Sequence, residues 1–161
     1  MKLVRKSVFL AAFLFLFIPL VSASGATTFH ATMSGKNQSP PIDTPAHGTA
    51  TFTLSKSGKS LRFRLYVADI DNVSMAHIHI GAAGQEGPVA VWLYPSHPPA
   101  QVKKGKFTGE LATGVITARQ LQGPLKGKTI DDLVQDIKNG DAYVNVHTVQ
   151  HPAGEIRGQI E

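Results

Sequence analysis

The run Leu61-Arg62-Phe63-Arg64-Leu65-Tyr66-Val67 alternates apolar and polar side chains with a period of two. Successive strand residues point to opposite faces. This stretch therefore buries Leu, Phe, Leu and Val on one side and solvates the rest, the pattern of a half-buried antiparallel strand. Further strands are predicted over residues 27–33, 49–54, 75–81, 89–94, 142–148 and 154–160, with a hairpin turn at Ser57-Gly58-Lys59. Pro40, Pro41, Pro45 and Gly48 make residues 36–48 a loop. A single helix is predicted over residues 130–138. Thr129 caps it, Asp131 and Asp132 favour the positive end of its dipole, and Gly140 stands just past its end. Many short strands, Gly/Pro turns and one short helix describe an all-β sandwich or barrel.

The N-terminal segment lies apart from that pattern. Lys2, Arg5 and Lys6 precede an apolar stretch from Val8 to Val21, and Val21-Ser22-Ala23 supplies small residues for a signal peptidase. The stretch is short for a membrane span of about 20 residues and fits a secretory signal peptide. Residues 1–23 are expected to be cleaved, leaving residues 24–161 as one domain, secreted, periplasmic or on the cell surface, with no stable membrane span. Of 16 Lys and Arg, three lie in the leader, leaving 13 against 11 acidic residues. A charge so near balance offers no basic stripe to nucleic acid. Lys103, Lys104 and Lys106 read as a solvated turn. The chain has no cysteine, which excludes disulfide staples, thiol catalysis and thiolate metal sites.

The chemistry-bearing feature is Met75-Ala76-His77-Ile78-His79-Ile80-Gly81. Strand parity places Ile78 and Ile80 in the core and His77 and His79 together on the outer face. The same parity turns Tyr143, Asn145 and His147 outward on one strand, and Glu155, Arg157 and Gln159 outward on the last. His77 and His79 are close enough along one strand face to share an ion. His147, and His151 in the following loop, would complete three or four nitrogens if the strands are neighbours. All-imidazole ligation suits copper(II) or zinc(II), and copper(II) binds more tightly. Uptake is expected to weaken below about pH 6, as imidazoles protonate near 6.5. The competing account is that these are ordinary exposed or hydrogen-bonded histidines.

Three motifs, AHIHIGAAGQEGPVAVWL, GDAYVNVHT and HPAGEIRGQI, resemble the signatures of the CHRD domain, named for its occurrence in chordin. The segment MSGKNQSPPIDTPAHGTATFTL is similar to that family's opening. The resemblance covers essentially residues 27–160. It implies a secreted, immunoglobulin-like β-sandwich or barrel. His77, His79 and His147 fall on matching motif positions, and His151 falls where the pattern is looser. His47 is not demanded by the pattern, and Gln38 stands where an acidic residue is more usual. The histidine arrangement is also similar to the copper site of Cu,Zn superoxide dismutase, itself a Greek-key barrel. That likeness implies a redox role, with Arg157 as an anion-guiding group. The sequence departs from it in lacking the disulfide and any zinc-site cluster.

Other chemistries find no support. No nucleophile elbow accompanies His147. The Gly81-to-Pro88 loop precedes no helix, so it is no phosphate cradle, and its glycines are expected to make turns beside the histidines. Trp92 and Tyr94 read as core or sheet-face residues. Two functions remain: an exported copper-binding domain, with or without dismutase-like activity, and an extracellular protein-interaction module whose histidines are structural.

Overall fold

The computed structural model describes residues 26–161, so the expected leader, residues 1–23, lies outside the described residues. One long strand, β3 (Ser60–Ile80), organises the fold. The first half of one edge pairs with β2 (His47–Leu54), from Leu54↔Leu61 to His47↔Ala68. The second half of that edge pairs with β6 (Ala142–Thr148), from Val73↔Thr148 to Ile80↔Ala142. β1 (Thr28–Ser34) continues from β2, and β7 (Ile156–Gln159) continues from β6. The ring closes where β1 meets β7 at Ser34↔Arg157 and where His30 exchanges backbone hydrogen bonds with Glu161 (2.7 and 2.8 Å). On the other edge of β3 lie β5 (Lys103–Thr117) and β4 (Val89–Tyr94). All pairs are antiparallel, and the architecture is the expected all-β barrel with additional strands.

The residues predicted for the core are in it. Leu61, Leu65, Val67, Ile78, Val144, Val146, Ile156 and Ile160 are fully buried. Between the two halves of β3 the buried apolar positions step from Val67 to Ile70, Val73 and Ala76, three residues at a time. Asp69 and Asn72 there adopt left-handed φ values of 52° and 50°, with register shifts against β5. Such bulges bend a strand and re-aim its side chains. Without them, strict alternation from Leu61 would point His77 and His79 into the core.

The helix, α1, spans Ile130–Lys138. Thr129 Oγ1 accepts from the Asp132 amide, and Asp132 Oδ2 accepts from the Thr129 amide (3.3 and 2.8 Å), a reciprocal capping box. At the other end the Gly140 amide donates to Ile137 and the Asp141 amide to Asp136, with Gly140 at φ 78°. That is the Schellman stop, which glycine enters without strain. Ile130, Leu133, Val134 and Ile137 pack into the core.

Two expectations are corrected. Lys103, Lys104 and Lys106 do not form a turn but open β5, a strand that the sequence reading lacks. Its two faces differ little in hydrophobicity, since Gly105, Gly109 and Gly114 interrupt the alternation and only Leu111 and Ile116 are buried. The residues read as outward on β3, β6 and β7 share one face as expected, except Glu155, which lies in the bend before β7 and accepts from Thr44 and Thr148, and that face is roofed and not open. His77, His79, Tyr143, Asn145, His147, Glu155 and Arg157 are all buried.

Candidate metal centre

Register alone brings the histidines together. In the β3–β6 ladder His77 lies opposite Asn145, His79 opposite Tyr143, and Met75 opposite His147. His147 is therefore diagonal to His77 on the same face, within reach of a long side chain. The ring centroids lie 5.0 Å (His77–His147), 5.6 Å (His77–His79) and 5.9 Å (His79–His147) apart. One ligand nitrogen from each falls within 4.8 Å of the others, so the three can hold a metal ion. Metal–imidazole bonds of about 2.0–2.1 Å bring such nitrogens closer still, a movement within the reach of side-chain rotation.

Backbone carbonyls set two of the rings. His79 Nδ1 donates to the Gly87 carbonyl (2.8 Å), and His147 Nδ1 donates to the Pro152 carbonyl (3.1 Å). Each bond places the proton on Nδ1 and leaves Nε2 as a lone pair, the usual arrangement behind a metal-bound histidine. His77 Nδ1 lies 3.1 Å from His147 Nε2, and since that Nε2 carries no proton, His77 donates. His77 Nε2 and His79 Nε2 are buried with no hydrogen-bond partner. Buried polar atoms are normally satisfied, so two orphaned lone pairs in one cluster call for a ligand.

The cluster's electrostatics favour neutral rings. Burial, with the neighbouring His147 and His79, pushes His77 down to about 3. Burial likewise brings His147 down to about 4, against its bond to Pro152 and with help from His79. His79 is lowered by burial, partly offset by its bond to Gly87 and deepened by the Arg157 charge. Neutral imidazole is the metal-binding form.

Several supporting residues were not expected from sequence. Trp92, opposite His77 on β4, sets its ring edge-on at 4.3 Å from the His77 ring. Tyr143 stacks on His79 at 5.0 Å, and its hydroxyl accepts the Gly87 amide at 3.0 Å. Gly87 must be glycine, because a Cβ there would sit 1.7 Å from the Ile80 carbonyl oxygen. The Gly-rich loop thus turns beside the histidines, as its composition suggested, and its last glycine holds His79.

His151 is not in the group. It sits in the turn after β6, where its amide donates to Thr148 Oγ1 and its carbonyl accepts the Gly154 amide. His30, His47 and His97 are exposed elsewhere. Arg157 lies on the cluster's face with its guanidinium 3.4 Å above the Tyr143 ring, and its Nη2 donates to the Ala82 carbonyl (2.9 Å). A cavity of about 210 Å³ joins it to His79, walled by Gln38, Ser39, Tyr143, Asn145 and Ala153, with Glu86 and Gly87 on the loop side.

Among the described residues no helix is long and apolar enough to cross a membrane. Searches of curated proteins and of solved structures return no match. The family model for the CHRD domain matches residues 29–160, a span that runs from β1 through the last strand and contains all three histidines. By that match the chain belongs to the CHRD domain family, a module of extracellular type.

Proposed function

We propose that the chain is an exported β-barrel module that binds one divalent transition-metal ion through His77, His79 and His147, with copper preferred over zinc. The observation that carries this reading is the pair of buried, unpartnered Nε2 atoms of His77 and His79. Histidines kept only for packing would have both nitrogens satisfied or solvated. A neutral three-imidazole set suits copper(II) and zinc(II), and the general affinity order favours copper(II). An interaction module with purely structural histidines gives no reason for carbonyls to hold two rings with their lone pairs turned inward. Superoxide dismutation would be a further property of the copper-loaded form, tested by pulse radiolysis of loaded protein against free chelated copper.

The deciding experiment is elemental analysis and calorimetric titration of untagged mature protein. One equivalent of copper(II) or zinc(II) is expected per chain. His79→Gln should weaken binding roughly 100-fold or more, beyond the range typical of a lost supporting partner, whereas His151→Ala should leave affinity unchanged. Uptake of a full equivalent by the His77→Gln/His79→Gln double variant would remove the cluster as the site.

A further inference from the structure

Arg157 is 3 % exposed, yet among the described residues it forms no ion pair. Of its guanidinium nitrogens, Nη2 alone has hydrogen-bond partners there: the Ala82 carbonyl at 2.9 Å and the Gln159 side-chain oxygen at 3.4 Å. A buried cation without a counter-charge is costly. Its stacking on Tyr143 offsets part of that cost, and Arg157 lines two adjoining cavities. The inner one, of about 210 Å³, reaches His79. The outer one, of about 420 Å³, is lined by Lys36, Asn37, Gln38 and Ser39 opposite Ala83 and Gly84, and contains two cations and no carboxylate.

The wall between the cavities and solvent is built. Asn37 Nδ2 donates to the Arg157 carbonyl at 2.9 Å, and Gln38 Nε2 donates to Asn145 Oδ1 at 2.8 Å. These bonds pin residues 36–39 over the sheet face. The one acid near the inner cavity, Glu86, is exposed and lies beyond ion-pair distance of Arg157. Solvent and salt screen an exposed charge far more than a buried one, so the guanidinium dominates the potential inside.

We propose that Arg157, with Lys36 at the entrance, forms a binding site for a small carboxylate or similar oxyanion, and that the inner end of this site delivers the anion to the metal centre as an additional ligand. The anion half stands on Arg157 and its cavities alone. The ligand half rests on the metal reading above. Charge-assisted hydrogen bonds to the anion would satisfy the donors that the protein leaves free.

Formate is the probe, titrated into metal-free and zinc-loaded protein while the Gln38 and Asn145 side-chain amides are followed by NMR. Saturable shifts in the millimolar range are expected without metal, with affinity higher by roughly tenfold after zinc loading, equivalent to about 1.4 kcal/mol. Because Arg157→Gln can disturb folding, the exposed positions carry the test: Lys36→Gln should weaken formate binding and Glu86→Gln should tighten it. No saturable effect in either form, or none of the expected change in the Lys36→Gln and Glu86→Gln variants, overturns the anion site. Equal affinity with and without zinc overturns the ligand half. A protein that takes up no zinc defeats the metal reading and the ligand half with it, while the metal-free titration still decides Arg157.

Discussion

At the scale of single residues, neutral burial governs the cluster. An unfolded histidine titrates at its ordinary value near 6.5, whereas His77 and His147 in the folded chain are held down at about 3 and about 4. Between those limits the unfolded chain binds protons that the folded chain refuses. Stability therefore rises with pH across this window and falls on acidification. Metal-free protein should show a urea midpoint that declines from pH 6.5 towards pH 5, and a flat profile would contradict neutral burial. Metal affinity should depend on pH less steeply than free imidazoles would predict. Exposed rings would lose roughly tenfold in affinity per ligand one pH unit below 6.5. His77 and His147 have no proton to displace there, and burial lowers His79 in the same direction, so zinc affinity of the folded protein should fall less between pH 7 and pH 5.5 than three exposed imidazoles would require. Histidine types and spacing were legible in the sequence. Their burial was not, because strand alternation says nothing of what folds over a face: residues 36–39 arrive from far along the chain, and the loops that carry Gly87 and Pro152 turn back over His79 and His147 from only eight and five residues away.

At the scale of elements, the decisive feature is the break in β3. Two stretches of clean alternation were readable, residues 61–67 and 75–81, but they have opposite parity relative to one another. Three steps of three residues, with Asp69 and Asn72 at positive φ, reconcile them in one continuous strand. Asp69 contributes only an exposed pair with Lys106 at 3.6 Å, while its amide donates to Thr108 Oγ1. Its backbone conformation is what matters. Asp69→Gly should leave the denaturation midpoint nearly unchanged, whereas Asp69→Val, β-branched at positive φ, should cost about 1–3 kcal/mol. Equal effects of the two variants would show that the bulge imposes no conformational demand. The helix was fully legible, since its capping box and glycine stop are local signals. β5 was not, because a strand whose outer side is solvated and whose alternation is interrupted by three glycines earns its place by pairing along β3 from Ser60 to Val73.

For the molecule as a whole, the closed barrel carries the stability. A barrel closed through β1, β2, β3, β6 and β7 leaves only β4 and β5 outside the ring, and a core of this size needs no disulfide staple. The chain contains no cysteine to supply one. The leader reading predicts that exported material lacks residues 1–23, and intact-mass measurement checks it directly. A mass that includes Met1, or retention in membranes after a carbonate wash, would contradict cleavage.

Alternation of side chains is a local property, and it determined which residues face the core and which share the opposite face with His77, His79 and His147. What lies above that opposite face is a tertiary matter. Residues 36–39, from far along the chain, converge on it with two loops that turn back over their own strands, the one ending at Gly87 and the Pro152-Ala153 turn, through bonds to Asn145, His79, His147 and Arg157. Those contacts turn a solvated histidine face into a buried cluster with fixed tautomers, leave His151 outside it, and set Arg157 beside a small cavity. Period-two patterning reports the direction of a side chain from its own strand. It carries no information about segments that arrive from elsewhere, and here those segments decide the chemistry.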